Sequence, residues 1–428
     1  MSANNVQDTW KSMSAHQREQ GGFSGGGNSW RDPSSAQQPV TAGSPPPPIG
    51  ALLETITYVE LTTLSAEAKH DAIIKDCEFL ASFDLTKGKS TFITVPDNLQ
   101  SSPSLESQLT MLCLGMPPMW TSVVEKKQLQ EDPSGRQYFR DQNAARFPDH
   151  PMEPAARALL VQQPTLKTSE INIFACGSTL GNLLNFVRHV DKPFRIVVEV
   201  VGETVFFVRR EKKPDETMDD PRGYGHTFPE AYTSVLGEVS DSASHQRMSG
   251  YEFAGLKCVV RSEGDGFLEH LAGPEYQDAI SVKLPEVEGV TMRAGGLRVP
   301  QEAVFDVKTR SIKKKDEDIM AGELPRLYMR QIPNFVMGYF EENIIIRDIT
   351  GDLKDWQEKH KEDLAILGVL LHKIVEIVKA IPEGKCEIYY AGAGGLEVRS
   401  VLEDAPSALS LGLRDVWAAQ DAGLAEDE

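Results

Sequence analysis

Along the chain, apolar and polar positions follow two rhythms, one of period two and one of period 3.6. Short apolar runs at Thr55–Val59 and Ser90–Val95, set among proline-rich and polar loops, predict strands in the first third. Ser169–Ala175 predicts another strand, after which Ser178 or Thr179 is expected to cap a helix over Leu180–His189 with Leu183, Leu184 and Val187 inward. Phe194–Val201 and Thr204–Val208, joined by Gly202-Glu203, predict a tight hairpin. A helix is expected over Pro229–Val235, then strands over Phe253–Val260 and Ala303–Phe305, each breaking into charged residues at its end. A helix over Ala321–Arg330 and a second hairpin, Asn334–Phe340 with Asn343–Ile349, come next. Leu364, Leu367, Leu371, Ile374 and Ile377 recur at helical spacing and predict one long amphipathic helix over Leu353–Ala380. The last strand, Cys386–Tyr390, leads into Ala391-Gly392-Ala393-Gly394-Gly395, which lacks dinucleotide and P-loop spacings and reads as a turn.

Composition sets the boundaries. Residues 1–48 hold the glycine-rich run Gly21–Gly27 and end in Pro45–Pro48 with few aliphatics, so a disordered tail is expected there. Residues 49–405 then form one main domain of α+β class, and 406–428 an acidic tail. A net charge of −19 excludes a surface that coats nucleic acid broadly, yet leaves room for a local basic groove. The densest basic stretch is Lys308-Thr309-Arg310-Ser311-Ile312-Lys313-Lys314-Lys315, read either as a solvated loop or as a phosphate-contacting edge. No apolar run is long enough to span a bilayer, and the start of the chain lacks an apolar leader; nucleus or cytoplasm is expected, with no membrane partner. Five scattered cysteines without a C-x-x-C pair argue against a disulfide framework and a zinc site.

Candidate chemistry concentrates at the two charged strand ends. Glu263 and Asp265 share one face of an extended strand, as do Asp306 and Lys308. If those strands are neighbours, three carboxylates and an ammonium converge. Oxygen donors of this kind suit Mg²⁺ or Mn²⁺, with the lysine orienting a water or neutralising a phosphate. Each half of the signal is weak, because 63 acidic residues in this length give about nine acid-x-acid triplets by chance. His226 and His245 lack a third ligand at metal spacing and read as hydrogen-bonding histidines. Asp219-Asp220 is a lone loop pair, which disfavours a prenyl-diphosphate synthase.

The order of motifs resembles the DXO family of 5′-end RNA decapping exoribonucleases. The resemblance is carried by Ile171–Cys176 with Leu180-Gly181-Asn182-Leu183-Leu184, by Gly223-Tyr224-Gly225-His226-Thr227-Phe228-Pro229-Glu230, by Glu263-Gly264-Asp265, by Asp306-Val307-Lys308-Thr309, and by Leu327–Tyr339. It implies mixed β-sheets flanked by helices, of the PD-(D/E)xK nuclease type, with a metal site at the sheet rim. Glu263, Asp265 and Asp306 would hold Mg²⁺ or Mn²⁺, while Lys308, Gln331 and Glu230 would act in catalysis. Arg247, Arg261 and Arg310 are the candidates for substrate phosphate. The implied substrate is an RNA 5′ end, cut by metal-assisted attack of water, and a 5′–3′ exoribonuclease is an implied partner. Two departures stand out. The family's phosphate-contacting arginine falls near Gly177, leaving Arg188, Arg222 or Arg247 to replace it, and its helix glutamate falls on Pro229, one residue before Glu230. A catalytically degenerate fold kept for binding RNA or protein is therefore the second reading.

Overall fold

The computed structural model describes residues 49–424 apart from 69, 87–91, 96–114, 122–126, 134–137, 219–222, 236–241, 274–290, 295 and 340–343. The expected tail over 1–48, Cys113, Asp219-Asp220 and Arg222 lie outside the described residues. The architecture is α+β, with two mixed sheets flanked by helices.

The larger sheet runs β1 (Leu52–Ile56), β17 (Leu396–Arg399), β16 (Lys385–Tyr390), β6 (Phe194–Val201), β7 (Thr204–Arg210), β5 (Ile173–Cys176), β10 (Leu256–Glu263), β9 (Ser242–Phe253), β2 (Ile74–Thr86), β3 (Phe92–Val95), β12 (Thr291–Ala294). Its central strands are apolar at consecutive positions because both faces are covered. In β7, Val205 and Phe207 enter the core beneath the Gly177–Val187 and Lys361–Ala380 helices. Phe206 and Val208 enter a second core, shared with the Glu153–Gln162 helix and Trp417. Burying each such side chain stabilises the fold by roughly 1.5–3 kcal/mol.

The smaller sheet runs β15 (Ile344–Asp348), β14 (Asn334–Tyr339), β13 (Val304–Arg310), β11 (Gly266–Phe267), β4 (Met119–Trp120), β8 (Thr233–Ser234). The chain passes from one sheet to the other within three residues. Strand β10 ends at Glu263, the Gly264 N–H donates to the His245 carbonyl (3.0 Å), and Gly266 pairs with Phe305 of β13. Position 266 must be glycine, since a Cβ there would lie 2.4 Å from the Phe305 ring and 2.6 Å from the Pro118 oxygen.

Several expectations need correction. The apolar run at Thr55–Val59 splits: β1 ends at Ile56, and the Thr57 hydroxyl accepts the Glu60 N–H to start the Tyr58–Ser65 helix. Residues Thr168–Glu170 form a 3-10 turn before β5, and the next helix starts directly at Gly177, with Thr179 bonded back to the Cys176 carbonyl instead of capping. The Thr227–Tyr232 helix stops short of Val235, at β8. Strand β9 lies where the sequence predicts none, because both of its faces are covered and its polar residues Ser244–Arg247 are buried without any alternation of polar and apolar positions. The expected Leu353–Ala380 helix is two, Thr350–Lys359 and Lys361–Ala380, divided at His360. Within the expected acidic tail, Leu411–Leu424 is a helix whose Leu413 and Trp417 are buried.

Candidate functional site

The passage between the sheets brings Asp265 beside Asp306. Asp265 Oδ2 accepts the backbone N–H of Val307 (2.7 Å), which fixes its carboxylate against β13. Burial and then the neighbouring Asp306 push the Asp265 carboxyl up to about 7, against the lowering effect of that N–H; Glu263 adds to the rise. Glu263 is exposed and accepts the Ser244 hydroxyl (2.8 Å). Asp306 and Lys308 do share one face of β13, as the period of a strand requires, and that face meets the Ile319–Arg330 helix.

That helix supplies Glu323 and Arg326, one turn apart on the same side. Arg326 forks onto Asp306, Nη1 to Oδ2 and Nη2 to Oδ1 at 2.5 Å each, while its Nε holds Glu323 (2.5 Å). Glu323 in turn takes Lys308 Nζ (3.1 Å) and, more loosely, Arg310 (3.8 Å). The Asp306/Lys308 pair of the strand is thus matched by a Glu323/Arg326 pair of the helix, acid to base in both positions. Burial opposes the charge on Glu323, but Arg326 and Lys308 outweigh it and hold the carboxyl below its ordinary value. Arg330 completes the cluster: Nη1 lies 3.7 Å from Asp306, and its buried Nε has no partner.

Gly177 explains the route of Arg330. A Cβ at 177 would lie 2.9 Å from Arg330 Cγ and 3.3 Å from Nε, so the room that a side chain at 177 would take is filled by the arginine from the neighbouring helix. Neither Gly177 nor Arg330 announces this contact locally in sequence.

The remaining expected residues are distributed differently. Arg247 is buried, donating to Gln301 Oε1 (2.8 Å) and the Val299 carbonyl (2.7 Å) and stacking on Phe79, so it is structural instead of facing substrate. Arg261 is buried against Asp141 (3.2 Å) and Cys176 Sγ (3.0 Å) and is likewise withdrawn. Arg188 ends a helix and pairs with Asp363 at 3.8 Å. Gln331 follows the helix in the left-handed region (φ +52°), its side chain donating to the Tyr328 carbonyl (2.6 Å), so the helix residue that reaches Asp306 is Arg326. Glu230 is exposed on the Thr227–Tyr232 helix, which is held against the smaller sheet through Phe228 and Tyr232. His245 Nδ1 meets the buried Asp84 at 2.6 Å, in keeping with a hydrogen-bonding role.

As arranged, these donors do not fit a divalent cation. Both Asp306 oxygens are engaged by Arg326, and among the described residues no group of three or more His, Cys, Asp or Glu is disposed to hold a metal ion. A groove of about 420 Å³ lined by His70, Ala254, Gly368 and His372 shares no residue with this site.

Residues 74–404 match the family model described as "Domain of unknown function (DUF8563)". A sequence search of the curated proteins finds no match. Among solved structures, the chain is similar to Scheffersomyces stipitis Rai1 in complex with (3′-NADP)⁺ and calcium ion, with a TM-score of 0.52 at 10% identity over 87% of this chain and 99% of that one. The S. pombe Rai1 crystal structure aligns with a TM-score of 0.48 at 10% identity, over 82% of this chain and 99% of that one. Candida albicans Rai1 in complex with pU5-Mn²⁺ gives 0.43 at 9%, over 62% and 79%. At this identity the likeness to the Scheffersomyces protein establishes a shared fold. No described helix is long and apolar enough to cross a membrane.

Proposed function

We propose that this chain, which belongs to the DUF8563 family, is a recognition protein for phosphorylated RNA 5′ ends built on the fold of the decapping exoribonucleases, with the metal position taken by an internal arginine. The fork of Arg326 on Asp306 carries this reading: a cation already neutralises the carboxylate that a metal would need. Lys308, Arg310 and Arg330 gather around the same point, and Lys313, Lys314 and Lys315 continue from the end of β13. Several guanidinium and ammonium groups gathered from the end of β13 and the helix packed on it are what phosphate recognition requires, in a protein whose net charge otherwise repels nucleic acid. Fluorescence anisotropy in EDTA with RNAs bearing 5′-triphosphate, 5′-monophosphate and 5′-hydroxyl ends tests it. Phosphorylated ends are expected to bind about tenfold more tightly than the hydroxyl end; equal affinities would sink the reading.

One observation favours a second reading, metal-dependent hydrolysis of the same ends. The crowding that pushes Asp265 up to about 7 is what a divalent cation would relieve. Incubation of capped, triphosphorylated and monophosphorylated RNAs with Mn²⁺ decides between the two. Product from wild type that is lost in Asp265→Ala establishes hydrolysis, and no product leaves recognition alone.

A further inference from the structure

We infer that Arg326 is a resident cation that excludes divalent metal from Asp265 and Asp306, so that removing this one guanidinium exposes a latent metal-binding pair. The inference rests on the proposed recognition role and concerns the same cluster.

The geometry carries it in three steps. First, Asp265 and Asp306 are brought together by backbone, not by the arginine: Asp265 is tied to the Val307 N–H, and Gly266 is registered opposite Phe305. Removing the Arg326 side chain therefore leaves Asp265 anchored and the β13 backbone that carries Asp306 in place. Second, Arg326 is pinned from both ends, by Asp306 on its two terminal nitrogens and by Glu323 on Nε. A guanidinium fixed at all three nitrogens has already lost its rotamer freedom, and an entering metal must break every one of these charge-assisted bonds to reach Asp306. Third, Arg326 is the cation that Asp306 meets at closest range, while Lys308 and Arg310 are turned to Glu323. Glu263, Asp265, Asp306 and Glu323 face Lys308, Arg310, Arg326 and Arg330. Without Arg326 the nearest cation to Asp306 is Arg330, at 3.7 Å, and the acidic side is in excess.

Equilibrium dialysis and the electron paramagnetic resonance signal of free Mn²⁺, on the full chain, test this without reference to activity. Arg326→Met keeps an unbranched, flexible stem and removes the guanidinium with its charge. It is expected to bind Mn²⁺ at least about tenfold more tightly than wild type, and Asp265→Asn added to it should return binding to the wild-type level. A folded Arg326→Met protein, judged by circular dichroism, with no gain in Mn²⁺ binding overturns the inference. So does wild type that already binds Mn²⁺ as tightly, with Asp265→Asn abolishing it. Should Arg326→Met fail to fold, Glu323→Gln loosens the same arginine while leaving its charge, and a smaller gain in Mn²⁺ binding is expected; no gain overturns the inference as well. Because RNA-end discrimination is measured in EDTA, its failure is separable from the failure of the metal result.

Discussion

Two carboxylates in this protein are each gripped by arginines, and they are held for different purposes. Glu387, on β16, is fully buried and is gripped by Arg195 of the neighbouring β6 and Arg210 of β7 beyond it; Nη2 of Arg195 donates at 2.9 Å and Nη1 of Arg210 at 3.2 Å. Arg210 is further tied to Asp404 (3.0 Å), whose side chain is at the surface. Asp306 is nearly as buried, but its arginine is 29% exposed, a second carboxylate presses on it, and Arg330 keeps an unmatched N–H. The first arrangement is a knot with its bonding complete. The second retains repulsion between two carboxylates beneath a partly exposed guanidinium, which marks a place where a ligand can improve on what the protein provides.

Breaking the knot should cost most. Glu387→Ala removes the buried carboxylate that two buried guanidiniums share and is expected to destabilise the fold by about 3–5 kcal/mol in urea unfolding. Asp306→Ala relieves Asp265 and frees a guanidinium that reaches water, so its loss should stay near 1 kcal/mol. Equal losses would make the Asp306 cluster another structural knot and remove the contrast.

Ligand binding sharpens the comparison from the other side. Arg330→Ala is expected to weaken binding of 5′-triphosphorylated RNA about tenfold, or about 1.4 kcal/mol, with little change in the unfolding midpoint. Arg210→Ala should do the reverse, lowering stability while leaving the affinity of the folded protein unchanged. Anisotropy titrations and thermal melts on both variants would expose any overlap between the two roles.

The smallest effect is in the pH dependence. Asp265 holds its proton more tightly in the folded chain, up to about 7 against an ordinary 3.8, so folding is penalised progressively as pH rises from about 4 through 7. Asp265→Asn should match wild type near pH 4 and exceed it by about 1 kcal/mol at pH 8, since nearby arginines and water moderate the full shift. A variant no more stable at pH 8 than at pH 4, relative to wild type, would mean that the two carboxylates do not oppose each other.

How much of this could be read in the sequence follows from the range of each interaction. The Gly202-Glu203 hairpin and the common face of Asp306 and Lys308 depend on periods of two and on one turn, and both were legible. Arg247 and Arg261 misled because both sit in strands covered on two sides, where either alternation points inward. Glu323 and Arg326 look like any surface pair at i and i+3, and nothing local says that the arginine also reaches Asp306 across twenty residues. Trp417 was hidden by acidic neighbours, although Leu413 and Trp417 stand one helical turn apart. Divided at His360, the long helix breaks without proline or glycine, so the apolar spacing gave no warning.

Strand β1 pairs with β17, joining Leu52 to Arg399 at the edge of the larger sheet, and the Ala51 N–H donates to the Ser400 hydroxyl. The first strand of the described domain can therefore find the strand it pairs with among the described residues after nearly all of that domain has been synthesised. Until then Ile56, buried in the finished core, stays outside it. So long a separation makes the closing of this edge a late and entropically costly event, and the nascent chain must keep β1 from pairing elsewhere while it waits.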